Sequence, residues 1–369
     1  MRTLLAALAL FNAKTPRGKG ASDRIQPRIA RISFRLSAKS LPSAVRNSAL
    51  ERACRRSAAS LPRCAFALAF FLQTVADGDP IFAQAPDVPL YKQGRRESQY
   101  DDAIAKATKA LFAGTNVIKL AQVKEQLKRP SCQLELPKPS AAKLPAREVY
   151  NAARHGHLRV GWSYLCKTCD QWHVNLAGGY PINKGGAVAT CYHVISPGRD
   201  IRDGCLVAAD EDGMVFPVTE VLAANRYSDA CIVRVAAENL KPLPLNTNVY
   251  PGDLAYCYSD PLDHRGYFSD GIVNRFYQFP GRRPFSAPPS AAFAPTRINV
   301  GTDWAPGSSG SAVLDQCGNA IGHVSTIGML SDEELSDEGE TRQPGPTMIV
   351  FHEAVAARDV LQLIRPPTQ

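Results

Sequence analysis

The sequence predicts a mostly β domain, a sandwich or barrel rather than a succession of βαβ units. Three observations predict it. Beyond Arg147 the apolar residues come in short alternating runs, at Leu158–Leu165, Gly186–Thr190, Cys205–Ala208, Ala230–Val235, Leu254–Tyr258, Arg297–Val300, Ser311–Leu314 and Ala320–Ser325. Gly, Pro, Asn and Asp fill the gaps between them, which is turn chemistry. Residues 147–369 number 223, enough for a sizeable core, and carry no internal repeat. The final Glu353–Ile364 stretch reads as one amphipathic helix that closes the domain.

The chain leading into this domain falls into three parts. Residues 1–63 hold 14 basic residues against two acids, Asp23 and Glu51, and lack clear periodicity. They read best as upstream sequence translated from a wrongly assigned start, ahead of a transit-like leader or a disordered arm. Residues 64–85 open with Cys64-Ala65-Phe66-Ala67-Leu68-Ala69-Phe70-Phe71-Leu72, preceded by Arg52, Arg55, Arg56 and Arg63 and followed by Ala83-Gln84-Ala85. Basic, apolar and small residues in that order form a secretory signal, here inside the chain instead of at its start. The expected location is therefore extracytoplasmic, periplasmic or secreted. Residues 86–146 form an arm. Its Asp101–Phe112 and Asn116–Lys128 have helical spacing, Gly114 parts them, and Pro130, Pro137, Pro139 and Pro145 stiffen the connector to the β domain.

Charge excludes some functions. The chain's formal net charge of +9 resides in its first segment, since 29 basic and 30 acidic residues remain from Pro86 onward. A nucleic-acid-binding body is not expected, because no basic face survives that subtraction. Nor is an integral membrane span expected once the signal is removed, as no uncharged run reaches the roughly 18 residues a bilayer needs.

Three words carry chemistry. Ala189-Thr190-Cys191-Tyr192-His193-Val194 sets a histidine directly after an apolar strand. Tyr227-Ser228-Asp229-Ala230-Cys231-Ile232-Val233-Arg234-Val235 sets an aspartate at the mouth of another. Pro306-Gly307-Ser308-Ser309-Gly310-Ser311 sets a serine in a tight glycine turn. A serine hydroxyl is a poor nucleophile and needs an imidazole to take its proton. The imidazole in turn needs a carboxylate to fix its tautomer. The order His…Asp…Ser differs from that of the other two hydrolase scaffolds. A nucleophile elbow fails at its last glycine, which here is Ser311, and would leave only His323 or His352 as base.

These words, with Gly252-Asp253, Asp260-Pro261-Leu262, Gly271-Ile272-Val273, Thr302-Asp303 and Gly318-Asn319-Ala320-Ile321-Gly322, resemble the trypsin-like serine peptidases from about residue 150 to 365. Within them the HtrA/Deg-like bacterial branch is the nearest likeness. The resemblance implies two six-stranded β-barrels with the active site between them, a polypeptide substrate and no cofactor. It implies His193 as general base, Asp229 as its orienting partner, Ser309 as nucleophile, and the amides of Gly307 and Ser309 as oxyanion hole. Ser325 matches a position that supports the aspartate and flanks the substrate. Asp303, six residues before Ser309, has the spacing of a carboxylate at the floor of an Arg/Lys-selecting pocket, although Trp304 would crowd it and a turn aspartate is the plainer reading.

Departures from the pattern matter as well. Ser308 stands where digestive relatives carry an aspartate that pairs with a freed N-terminus, so that activation route is not expected. Asp260 replaces a glycine and is expected to reshape a nearby loop. Only 18 residues follow Phe351, too few for a PDZ module. A catalytically inactive, peptide-binding relative is the alternative, as is an arm that folds back over the cleft.

Eight cysteines lie beyond the signal: 132, 166, 169, 191, 205, 231, 257 and 317. In an exported protein, disulfides are the first expectation, and eight cysteines allow 105 connectivities. Cys166-Lys167-Thr168-Cys169 followed by His173 also supplies three weak candidates for zinc, with His155 or His157 as a fourth; a redox motif ranks third. Cys191 and Cys231 read as small buried hydrophobes. The acidic run Ser331–Glu340 reads as a solvated loop rather than a calcium site.

Overall fold

The computed structural model describes residue 91 and residues 98–114, 116–278, 294–331 and 347–365. The leader, the signal-like segment and all but the first residue of the acidic run lie outside the described residues. Asp87–Gln369 forms one compact unit, so the arm belongs to the same body as the β domain.

Fourteen strands and five helices build that unit among the described residues. The first barrel contains β2 (Leu158–Cys166), β3 (Trp172–Pro181), β4 (Ala187–Thr190), β5 (Ile201–Ala209), β6 (Val215–Asn225) and β7 (Ala230–Val235), closed in the order β2-β3-β4-β7-β6-β5. The second contains β8 (Leu254–Ser259), β9 (Tyr267–Gln278), β10 (Thr296–Val300), β11 (Ala312–Leu314), β12 (Ala320–Ser331) and β13 (Thr347–Ala356), closed in the order β10-β13-β12-β11-β8-β9. Closure leaves neither sheet a bare edge to aggregate through.

Alternation along each strand separates two cores. Val160, Trp162, Leu206, Val221 and Val233 fill the first barrel. Ala255, Ile298, Trp304, Val313 and Ile321 fill the second. A third cluster, with Tyr180, Ile182, Ile232, Tyr256, Leu314 and Val355, packs one barrel on the other. This shared layer fixes the relative placement of loops that come from different barrels.

The arm is integrated into the domain. Its first helix, α1 (Ser98–Phe112), lays Tyr100 and Ile104 against Leu176, Cys205 and Val207 on the outside of the first barrel. The second, α2 (Leu120–Gln126), is shorter than the Asn116–Lys128 spacing suggests. Ile118 is instead held extended by hydrogen bonds with Val218 and Leu206. The proline-rich connector runs over the second barrel: Ser140 and Asn319 exchange two bonds, and Leu144 donates to Gln316 O. It also supplies β1 (Cys132–Gln133). Helix α3 (Ala146–His155) buries Val149 and Ala153 in the inter-barrel layer. Helix α4 (Tyr192–Ile195) is a single turn after β4.

The C-terminus corrects the sequence reading. Glu353–Ala356 complete β13, helix α5 covers only Ala357–Leu361, and Ile364 starts β14 (Ile364–Arg365), which pairs in parallel with β1. Val355 lies opposite both Arg297 and His323, and this ladder on both sides outweighs the helical preference of the alanines.

Ile232 is fully buried between the barrels. Truncation to Ala is expected to cost about 2–5 kcal/mol, measured by urea denaturation, since the rigid layer cannot collapse around the cavity.

Candidate active site

The three chemistry-bearing words meet where the barrels join. Gly178, at the inner end of β3, donates its N–H to Ser309 O at 2.7 Å and accepts from Thr190 Oγ1 at 2.7 Å. A Cβ on Gly178 would collide with the backbone of Ser311, and one on Gly310 with Gly178 O. Glycine at both positions lets the serine turn of the second barrel approach β3, the neighbour of the strand that leads into His193.

His193 sits in α4, its side chain half exposed at 49%, while Asp229 is 14% exposed. Imidazole Nδ1 lies 3.0 and 2.9 Å from the two Asp229 carboxylate oxygens, and the His193 amide donates to Oδ1 at 3.0 Å. With only acceptors facing it, Nδ1 carries the proton, and Nε2 keeps its lone pair while the ring is neutral. Asp229 adopts φ 58°, a left-handed conformation that aspartate tolerates better than most residues. A turn in which Asn225 Oδ1 accepts from Tyr227 and Ser228 leads into it.

The second barrel supports the carboxylate from behind. Ser325 Oγ donates to Asp229 Oδ2 at 2.7 Å. Burial alone would raise the Asp229 carboxyl, but His193, Ser325 and the His193 amide outweigh it and hold it far below the ordinary carboxylate range. Burial would likewise depress His193, and the Asp229 charge reverses this to a net upward shift.

Sequence reasoning assigned no support role to His323 or Arg297. His323 Nε2 lies 3.2 Å from Asp229 O. Arg297 Nη1 donates to Ser228 O at 2.9 Å. The only sequence signal for His323 was its place two residues before Ser325. Cys191 and Cys231 are buried beside the pair, as small hydrophobes would be, and Cys191 Sγ donates to Val324 O.

Around the serine the backbone is sorted into committed and uncommitted amides. Ser308, Gly310 and Ser311 donate to Ala305, Val324 and Ser308 carbonyls. Gly307 and Ser309 have no backbone acceptor among the described residues. The Pro306 carbonyl accepts from Leu262 N at 2.7 Å. In a trans peptide the carbonyl and the following N–H point in opposite directions, so the Gly307 N–H faces away from the 260–262 turn. Gly307 has φ 104°, and a Cβ there would meet Asp260 O at 2.7 Å.

Asp260 itself is buried. Its Oδ2 lies 3.5 Å from His157 Nε2 and 3.4 Å from Arg159 Nε, and Oδ1 accepts from Gly266 N. Burial opposes its charge, but His157 and Arg159 prevail and set the carboxyl at about 2. Ser308 is fully buried, and among the described residues its hydroxyl has no hydrogen-bond partner. Among the described residues no hydrogen bond within 3.5 Å joins Ser309 to His193.

Asp303 stands apart from this group. It is exposed, its backbone exchanges bonds with Ser269 Oγ, and its charge is felt by His352. Trp304 points into the second barrel's core, with Nε1 donating to Thr326 O. Cys166, Cys169 and His173 lie together at the β2–β3 turn. His157, considered as their fourth partner, is committed to Asp260, and His155 is not part of the cluster. All eight described cysteines are free thiols, so the expected disulfides are not formed in this structure.

Residues 178–322 match the family model described as a trypsin-like peptidase domain. Two closed six-stranded barrels, with few helices, form a chymotrypsin-like fold. Solved structures similar to the chain include the HtrA-type protease AlgW with a decapeptide, at 15% identity and TM-score 0.43, covering 59% of this chain and 66% of that one. Another is the serine endoprotease from Yersinia pestis, at 17% identity and TM-score 0.39, covering 59% and 64%. The chain thus spans just under two thirds of these relatives, and likeness at this level carries no further argument. No curated protein matches.

Two outcomes are expected from the geometry. Gly178→Ala should displace the serine turn and lower any turnover at Ser309 by about 100-fold, because misplacement by about 1 Å has that cost. His323 is fully buried, and burial depresses it to about 4 from about 6.5 in the unfolded chain. Between these values the unfolded state binds more protons, so stability should fall by up to roughly 3 kcal/mol as pH drops from about 6.5 to 4. Urea midpoints across that range should flatten in His323→Gln.

Proposed function

We propose that the trypsin-like peptidase domain this chain carries is a serine endopeptidase that acts through His193, Asp229 and Ser309. One observation supports the reading above the others. A doubly bonded His193–Asp229 pair stands beside a serine turn in which only the amides of Gly307 and Ser309 are left without backbone acceptors.

In this mechanism His193 Nε2 takes the Ser309 Oγ proton as the oxygen attacks the scissile carbonyl carbon. The carbonyl oxygen, now an oxyanion, receives hydrogen bonds from Gly307 N–H and Ser309 N–H. The imidazolium, stabilised by Asp229, passes its proton to the leaving amine, and the C–N bond breaks to leave an acyl-enzyme. Water, deprotonated by the same imidazole, then releases the acid and restores the serine. The chemistry requires no metal. Asp303 is exposed and outside this group, and any influence on substrate choice is testable by comparing Arg and Leu substrates in Asp303→Asn.

The second reading, a binding module without turnover, draws on the missing Ser309–His193 hydrogen bond, although such bonds often close only when substrate is bound. Fluorescent fluorophosphonate separates the two. Full-length protein should label, and Ser309→Ala and His193→Ala should not. Peptidase activity should drop on the order of 10⁵–10⁶-fold in either variant, with no further loss when both are combined. A folded parent that fails to label would leave the binding module standing.

The acid limb of kcat/KM should lie above about pH 6.5, because only neutral His193 can accept a proton and its folded value is raised. Asp229→Asn should move that limb to lower pH while lowering kcat by about 10⁴-fold. Export follows from residues 64–85 in this proposal. Fractionated cells should contain the processed chain outside the cytoplasm, with a new N-terminus just after Ala85 by peptide mass. An unprocessed chain confined to the cytoplasm would overturn the export reading alone.

A further inference from the structure

The turn between β2 and β3 holds the densest group of metal-ligating side chains outside the triad among the described residues. It spans Cys166 to Gln171 and is closed by Cys166 N donating to Gln171 O at 3.0 Å. The two sulfurs and the ring nitrogen of Cys166, Cys169 and His173 all lie within 4.8 Å of one another, and Cys169 Sγ is 3.0 Å from His173 Nε2. A tetrahedral zinc ion, with sulfur near 2.3 Å and nitrogen near 2.0–2.1 Å, separates its ligand atoms by roughly 3.5–3.8 Å. Shifts of about an ångström or less would close the shell.

The turn's backbone also meets the first sulfur. Thr168 N donates to Cys166 Sγ at 3.4 Å, so a backbone amide of the turn is aimed at the leading sulfur. Such an outer hydrogen bond orients a sulfur ligand toward the ion it would hold. Two thiolates and an imidazole suit zinc and not magnesium or calcium. Asp170, beside the group, is held by Arg202 and supplies no ligand.

We propose that Cys166, Cys169 and His173 bind one zinc(II) ion at the tip of the β2–β3 hairpin, with solvent in the fourth position. Both thiols give up their protons to bulk water on binding, and no electrons move. The ion acts as a staple. The tip carries Trp172, whose ring meets Phe112 of α1 edge-on at 4.6 Å, so fixing the turn fixes the seat of the arm on the first barrel.

Full-length protein, reduced under anaerobic conditions, should take up one cobalt(II) per chain with the intense near-ultraviolet absorption of sulfur-to-cobalt charge transfer. Zinc(II) should displace it and raise the melting temperature. Cys166→Ser and Cys169→Ser should lose the band, His173→Ala should bind at least tenfold more weakly, and Cys317→Ser should behave as the parent. Cys169 is exposed, so its variant keeps the test sound if Cys166→Ser fails to fold. A folded, fully reduced parent that shows no charge-transfer band and retains no zinc would overturn the site. So would binding that survives the loss of both cysteines, or a Cys166–Cys169 disulfide whose reduced form takes up no metal.

Discussion

The contact of Gly178 with the serine turn is the constraint on which the remaining geometry depends. Each barrel has its own core, yet neither alone brings His193, Asp229 and Ser309 together. The bond from Gly178 N to Ser309 O and the collision any side chain would cause set a single distance between the two halves, while the bond from Thr190 to Gly178 O steadies the first barrel's side of the contact. The apolar layer around Tyr180, Ile232 and Leu314 supplies the force, and the glycines determine how close the approach becomes. Hydrophobic burial is not directional, so the positioning has to come from the hydrogen bonds.

The aspartate shows how the two halves share one group. His193 and Asp229 come from the first barrel, while Ser325, His323 and Arg297 reach the Ser228–Asp229 turn from the second. The carboxylate is therefore held by partners 96 residues apart in the chain in the case of Ser325. Its left-handed backbone is strain of the kind that persists only where surroundings over-determine a conformation.

Much of this was legible in the sequence because the words that carry His193, Asp229 and Ser309 sit at strand ends, where turn residues mark them. Ala230–Val235 was readable to the residue, since it is apolar and bounded by Ser228-Asp229 on one side. Strand β3 was not, because Gly178-Gly179 breaks its alternation, and Pro217 hides β6 in the same way. Glu353–Ala356 mimics a helix until two neighbouring strands claim it. His323 and Arg297 were silent because their roles arise only when β12 and β10 are brought against another barrel. Local patterns cannot encode that. Disulfides were expected from cysteine count and export, but Cys191, Cys231 and Cys257 are spent on filling space inside sheets.

The turn at Asp260 and Leu262 has one more implication. Chymotrypsin-like folds whose serine loop is ordered by a newly cut terminus are switched on once, by another protease. Here the Pro306–Gly307 peptide is oriented by an internal amide, Leu262 N–H, on a turn tied down by a buried carboxylate that faces His157 and Arg159. The order of that loop therefore comes from contacts made within the folded chain. Such a chain has its serine loop arranged once the two barrels have closed on each other, with no newly cut terminus to wait for.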